Sequence, residues 1–337
     1  MTVSSASILI CTFNRAALLE TTLTELMALT IPPDCSVDIV IVDNNSTDTT
    51  PEVIARAQHR SPIPIKTVRE TRQGKSFALN RGLEIAAGDV VALTDDDVWP
   101  ARDWLSRIVA NFQQREVTFV FGKVLPRWAV PPPPELLMPR AQDVWGPLAI
   151  VDYGDTPAVY TAANKGQRLP IGANLAFRRS TIHEIGGWRT DLGKVNNTLI
   201  SGEDHEIFTR MRRAGVYAGY YDPKLEVRHY VPADRLTRKY FRRWFFWHGK
   251  THALMLGDLY EVNLDQTPHV FGVPRFVYRQ AIEQAGRWII RFGDRDALSL
   301  LIEELRAIQF TGLLFESWKH YFRSNRSRRV ASAWTLW

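Results

Sequence analysis

Four Val- and Ile-rich runs separated by helical patterns fill residues 1–100, and they restrict the chain to one class of fold. "SILICTF" reads as a strand and "AALLETTLTELMAL" as an amphipathic helix. "VDIVIVDN" is a second strand, and "TTPEVIARAQHR" a second helix opened by Thr-Pro. "IPIKTVRE" is a third strand, "GKSFALNRGLEIAAG" a helix stopped by Gly88, and "DVVALTDD" a fourth strand. Near-continuous apolar strands need cover on both faces, and helices between them supply it, so the prediction is an α/β chain with a parallel sheet. Ligands of such sheets bind beyond the carboxyl ends of the strands. "CTFNRA", "VDNNSTD" and "TDDD" each sit at such an end.

After "DWLSRIVANF" the pattern changes. Residues 126–170 contain "VPPPPELLMP" and little periodicity, which predicts a long surface excursion of the kind that is usually functional or mobile. Helical patterns return at "RRSTIHEIGGW" and "GEDHEIFTRMRRAG", followed by the strand-like "YAGYYDPKLEVRHY". From about residue 233 the chain reads as helical, aromatic and basic. With 337 residues, 45% of them hydrophobic, it has material for one large domain or two. Its net charge of +6 favours phosphate-bearing or anionic partners. Two cysteines, Cys11 and Cys35, without metal-like spacing point to a reducing, cytoplasmic compartment. The N-terminus lacks a basic leader and reads as the first strand, and no stretch approaches the roughly 18 apolar residues of a membrane span.

Asp95, Asp96 and Asp97 are three like charges at the end of a buried strand. One reading is a solvated acidic turn before a helix start at Pro100; the other is a site for a hard divalent cation, which prefers carboxylate oxygens and bridges them to substrate phosphates. In an extended segment Asp95 and Asp97 share a face and converge on one ion. "RQGKSFALN" is not a phosphate loop, because Arg69 stands where the first glycine is required. No GxGxxG follows the first strand, so a nicotinamide site is unsupported. Arg69, Arg72, Lys75 and Arg81 gather near a helix start, where anions are favoured; the alternative is a solvated basic face. In "SGEDHEIFTRM", Ser201 and Asp204 have the spacing of a capping box. The functional alternative sets one of Glu203 and Asp204 as a general base, its pKa raised by the other. His229 ends a late strand and would complete a carboxylate-rich site if the fold brings it to the aspartates.

Taken in order, "CTFNRA", "VDNNSTDTT", "GKSFALNRGLEIAAGD", "LTDDD", "GANLAFRRS", "GGW" and "GEDHEIFTRM" resemble glycosyltransferase family 2, enzymes of the GT-A fold, over roughly residues 5–250. The resemblance implies a Rossmann-like, mostly parallel sheet flanked by helices, with the C-terminal helices as an extension. It implies an inverting, hexosyl-type transfer of one sugar from a nucleotide-diphosphate-sugar, with Mg²⁺ or Mn²⁺. It puts Thr12, Asn14 and Arg15 at the base, and Asp43 and Asn44 at base and ribose. It puts Asp95, Asp96 and Asp97 at ribose and metal, His229 at the metal, and Asp204 as catalytic base beside Glu203. Lys75, Asn80 and Asn174, within the matching motifs, join the donor-binding set. Many members carry two aspartates at Asp43-Asn44, so uridine, thymidine and guanosine all stay open as the base. The aspartate run also fits its motif in two registers. Tyr240 replaces the glutamine of the Gln-x-x-Arg-Trp motif of processive synthases, which favours single-sugar addition to a saccharide or lipid-linked acceptor in cell-surface polysaccharide or glycolipid synthesis.

The expected organisation is a nucleotide-sugar half over residues 1–98, an acceptor half over 99–232 and a basic, aromatic extension over 233–337. Trp288, Trp318, Tyr321 and Phe322 either lie on an anionic inner-membrane surface or pack on the protein. Two other functions compete. A sugar nucleotidyltransferase would need a Gly-rich basic signature that "CTFNRA" lacks, and a binding-only relative would have no use for Asp204. Scattered basic residues and no recognition motif speak against a nucleic-acid partner.

Overall fold

The computed structural model describes residues 3–164, 166–195, 198–260, 263–293 and 296–334. The alternation in the sequence becomes β1 (Ser5–Thr12), α1 (Ala16–Met27), β2 (Ser36–Asp43), α2 (Thr50–Arg60), β3 (Ile65–Arg69), α3 (Lys75–Ile85) and β4 (Val90–Asp95). The four strands lie parallel in the order β3-β2-β1-β4. Their side chains divide by the two-residue period of a strand. Ile8, Ile10, Ile39 and Ile41 join Leu19, Leu23 and Val53 in one core, while Leu9, Val40 and Val42 join Ala78, Leu79 and Leu83 in another. Both faces of the sheet are therefore dry. The register sets Thr12 beside Asp43 and Cys11 beside Asp95, so the polar clusters finish at one level.

The sheet continues through β5 (Val98–Pro100), β6 (Phe119–Trp128), β7 (Ala158–Thr161), β8 (Leu175–Arg178) and β9 (Ala218–Val231), with α4 (Trp104–Gln114), α5 (Arg179–Glu184) and α6 (Glu203–Arg213) between them. β8 runs antiparallel between β4 and β6, β6 and β9 are parallel, and β5 and β7 add antiparallel to β9. The second half of the sheet is thus mixed. Two sequence expectations are corrected. α3 ends at Ile85, before Gly88; Gly88 is instead a close-approach position, where a Cβ would stand 2.4 Å from the Ser7 nitrogen. The excursion over 126–170 is also more regular than its composition suggests, with β6 running to Trp128, 3₁₀ turns between Pro134 and Leu148, and β7.

The chain forms two compact units. The first comprises residues 1–130, 148–197 and 202–232, and holds the sheet; the second comprises 131–147, 198–201 and 233–337. Within the second unit are α7 (Arg238–Leu254), α8 (Leu256–Leu259), β10 (His269–Val270), β11 (Val273–Pro274), α9 (Arg275–Ile290) and α10 (Ala297–Trp334). Leu256, Val273, Val277 and Leu313 form a core there. The tail aromatics pack in this unit: the Trp318 Nε1 donates to the Tyr278 hydroxyl (2.7 Å), and Tyr321 meets Phe271 edge-on. Residues 335–337 of the tail lie outside the described residues.

α7 and α10 cross at two glycines. A Cβ on Gly249 would stand 1.8 Å from the Gln309 carbonyl oxygen, and one on Gly312 would stand 1.9 Å from that of Phe246. Backbone this close cannot give way like a side-chain tip. Gly312→Ala is expected to destabilise the second unit by about 1–3 kcal/mol, the usual cost of overpacking. Hydrogen exchange along α7 and α10 would show it as lost protection, and unchanged protection would refute the close crossing.

Candidate active site at the strand ends

β4 stops at Asp95, and the chain turns through Asp96 and Asp97. The three carboxylates therefore fan out rather than alternate, which corrects the expectation that Asp95 and Asp97 share a strand face. Asp95 Oδ1 lies 3.1 Å from the Lys75 ammonium. Asp96 accepts from the Thr12 hydroxyl (2.7 Å) and from Arg15 Nη1 (2.9 Å), and the same Nη1 donates to Asp97 Oδ2 (2.5 Å). The turn is pinned through its backbone, where the Asp96 carbonyl accepts from the Thr22 hydroxyl and the Asp97 carbonyl from the Tyr230 N–H. Pairing of β5 with β9 sets His229 opposite Val98. Its Nε2 stands 3.6 Å from Asp97 Oδ1, with both side chains buried.

The second acidic pair opens α6. The capping-box reading of Ser201 is corrected: the N-cap is Gly202, in the left-handed region at φ +97°, and it supplies no side-chain cap. Ser201 instead donates its N–H to the Thr251 hydroxyl. The Asp204 side chain is left for other work, and its Oδ2 accepts the Gly172 N–H at 2.9 Å. Asp204 Oδ1 and Glu203 Oε2 are buried with no hydrogen-bond partner. Buried polar atoms are nearly always satisfied, so two adjacent exceptions mark a place where something else is meant to bind. A Cβ on Gly172 would stand 3.0 Å from Asp204 Oδ1, so the glycine keeps that oxygen uncrowded. Lys75 ties the two acidic groups together, reaching 3.8 Å from Glu203 Oε1 while it holds Asp95.

Five carboxylates (Asp95, Asp96, Asp97, Glu203 and Asp204) act on one another here, against the cations Arg15, Lys75 and Lys194. The titrations reflect this crowding. Burial pushes Glu203 up to about 7, the charge of Asp204 adding and Lys75 opposing. Burial likewise lifts Asp96 to about 6 against the pull of Arg15. Burial alone would lower Lys75, yet Asp95, Asp204 and Glu203 hold it well above its ordinary value. Burial acts to raise Asp95, but Lys75, by its charge and hydrogen bond, together with Lys194 holds it below the usual carboxylate range.

Other expected residues serve as scaffold. Asn44 spends both amide hydrogens on the Glu70 and Arg72 carbonyls and accepts the Gly74 N–H. Asn80 grips the Trp188 backbone through both its carbonyl and its amide. Asn174 donates to the Lys123 and Leu225 carbonyls and accepts from the Trp104 indole. Asn44 and Asn174 thus have both amide hydrogens committed to backbone carbonyls, while Asn80 commits one. Asn14, at φ +52°, accepts the Thr47 N–H and so joins the first and second strand-end loops. Asp43 is buried and accepts the Ser46 N–H.

The model of glycosyl transferase family 2 matches residues 7–143, which contain the β1, β2 and β4 strand ends. The succinoglycan biosynthesis protein ExoM of Rhizobium meliloti is 26% identical over 250 residues, 74% of each chain. Over residues 7–143 the chain is similar to glycosyltransferase family 2. A glucosyl-dolichyl phosphate glucuronosyltransferase of Haloferax volcanii is 23% identical over 252 residues, covering 74% of this chain and 76% of its own. In fold, the protein resembles the mannosyltransferase PcManGT from Pyrobaculum calidifontis, solved in complex with GDP-Man and Mn²⁺ (TM-score 0.61, 21% identity, 95% of this chain and 88% of that one). The architecture is that of GT-A glycosyltransferases.

Sequence reasoning missed two parts of this glycosyltransferase's site. Gly172 acts through its backbone N–H, which no side-chain motif announces, although "PIGANLAF" marked the segment. Lys194 reaches Asp95 and Glu203 electrically from a loop with no signature. The expected metal trio is also only partly assembled. Asp97 and His229 come together, while Lys75 draws Asp95 aside, and among the described residues no group of three or more acidic, His or Cys side chains is arranged around an ion.

The Glu203 titration has a measurable consequence. Its folded pKa of about 7 exceeds the ordinary carboxylate value, so the folded state binds this proton more tightly than the unfolded chain does. That stability is fully present at low pH and is lost as pH rises toward 7. Glu203→Gln is expected to raise Tm at pH 8 and leave it nearly unchanged at pH 5. An equal shift at both pH values, or none, would show that the buried acid does not titrate this way.

Proposed function

We propose that this enzyme is an inverting, metal-dependent glycosyltransferase that moves one sugar from a nucleotide-diphosphate-sugar to an acceptor hydroxyl. Residues 1–98 take the donor and 99–232 form the acceptor side. The observation that carries the reading is Asp204: one oxygen is fixed by the Gly172 N–H, and the other is buried, unpartnered and open because residue 172 has no side chain. A carboxylate held in this way is oriented to accept a proton.

Asp204 Oδ1 takes the proton of the acceptor hydroxyl as its oxygen attacks the anomeric carbon. The new C–O bond forms on the face opposite the breaking bond to the diphosphate, so configuration inverts without an enzyme nucleophile. Lys75 and Arg15, already among the carboxylates, offer positive charge where the leaving diphosphate gathers negative charge. Asp97 and His229 would hold Mg²⁺ or Mn²⁺. Such ions keep one or two protein carboxylates and take substrate phosphates as further ligands. When bound, the ion supplies Lewis-acid stabilisation of the leaving group.

The relatives support this substrate class. PcManGT was solved with GDP-Man and Mn²⁺, ExoM is named for succinoglycan biosynthesis, and the Haloferax protein is named for a dolichyl phosphate acceptor. We infer a saccharide or lipid-linked acceptor in cell-surface polysaccharide or glycolipid synthesis.

A nucleotide-sugar panel read by thermal shift with Mn²⁺ tests the proposal, because a ligand raises Tm with the logarithm of its concentration over Kd. One donor is expected to shift wild type and Asp204→Asn alike, while Asp204→Asn loses roughly 10²–10⁴-fold in transfer rate, the scale of general-base catalysis. Absence of a shift with any donor would overturn the proposal, and a donor shift without turnover in wild type would favour a binding-only relative. Transfer undiminished in Asp204→Asn would remove it as the base.

A further inference from the structure

We propose that the outward face of α9 is a docking surface for a bilayer bearing anionic phosphate headgroups. α9 turns Val277 and Gln284, seven residues apart, toward the second unit's interior, where both are buried. On the solvent side it carries a second apolar stripe at helical spacing, through Tyr278, Ile282, Ala285, Ile289 and Phe292, the last just past the helix end. Ile282 is 73% exposed, Ile289 66%, Ile290 84% and Phe292 77%. Gly286, on the same side, faces open space. Single exposed aliphatics are ordinary; a stripe of them along about 20 Å of helix is not.

The stripe continues at its N-terminal end. The Tyr278 hydroxyl donates to the Val270 carbonyl (3.0 Å) and accepts from the Trp318 indole (2.7 Å), joining α9 to α10 and to the hairpin of β10 and β11. Phe271 stands at the tip of that hairpin with φ +48°, a backbone region that bulky residues rarely adopt, and it packs on the exposed Phe322. A hairpin held in this conformation presents its aromatic residue outward.

Charge selects the occupant. Arg275 and Arg279 lie along the exposed side of the stripe, with Glu283 3.7 Å from Arg279, while Arg287 turns back to Gln284 and Glu303. Pairing this face with a second copy of itself would press like charges together. A plane of anionic headgroups over acyl chains satisfies both parts, the apolar stripe entering the acyl boundary and the arginines meeting phosphates. Indole and phenol groups such as Trp318 and Tyr278, apolar with one polar tip, suit that boundary. The inference stands apart from the transfer chemistry, because none of these residues belongs to the strand-end site.

The test is flotation of the full chain with phosphatidylcholine vesicles, with and without phosphatidylglycerol, for wild type and Ile289→Asp/Ile290→Asp. Tm and light scattering are measured in parallel, and Ile290→Ser serves as a milder second variant. Wild type is expected to float with the anionic vesicles and to release at high salt. The double variant should bind roughly tenfold or more weakly at unchanged Tm, and Ile290→Ser should fall between. No flotation of wild type, or flotation unaffected by the substitutions, overturns the proposal. A dimer that these substitutions dissociate, without vesicle binding, assigns the face to a second copy and also overturns it.

Discussion

The site depends on a balance of buried charge. Three aspartates leave β4 in succession, and α6 brings Glu203 and Asp204 to the same neighbourhood. A cluster of this kind is tolerated in a dry interior only if cations sit inside it. Arg15 bridges Asp96 and Asp97, and Lys75 spans Asp95 and Glu203. Without them the strand ends would repel one another. Burial still raises Asp96 and Glu203, with the neighbouring carboxylates Asp97 and Asp204 adding to it.

Everything around the cluster fixes its geometry. The parallel register of β1, β2 and β4 brings Thr12, Asp43 and Asp95 to one level. Buried amides then clamp the loops: Asn44 holds the turn into α3, Asn14 joins the first two strand-end loops, and Asn174 ties Trp104 to the β6 and β9 backbones. These side chains act by leaving the loops no other conformation. Gly202 and Gly172 complete the arrangement, one allowing the sharp entry into α6 and the other giving Asp204 a backbone donor without crowding it.

Much of this was legible in the sequence, for a physical reason. Unbroken Val and Ile runs can be satisfied only by a sheet covered on both faces, so polar clusters that follow them must gather at one edge. That reasoning put Asp95–Asp97 at a strand end, whereas Glu203 and Asp204, at a helix start, stood out only as adjacent carboxylates within a family-like motif. It did not see that the strand ends at Asp95, because a carboxylate run looks the same extended or turned. It left a capping box open at Ser201, where the spacing was right, but Gly202 takes the cap position with a positive φ. Asn80 and Asn174 lie in the right motifs, yet their roles depend on which backbone groups the fold leaves unpaired. The antiparallel entry of β8 was equally hidden, since a four-residue strand carries no signal of its direction.

The central claim is that Asp204 activates the acceptor for a single displacement on the far side of the sugar. The anomeric configuration of the transferred sugar in the product, read by proton NMR, tests that claim most directly. The account predicts a product inverted relative to the donor. A product that retains the donor configuration would require a different path, through a nucleophile or a front-face departure, and would contradict the role given to Asp204.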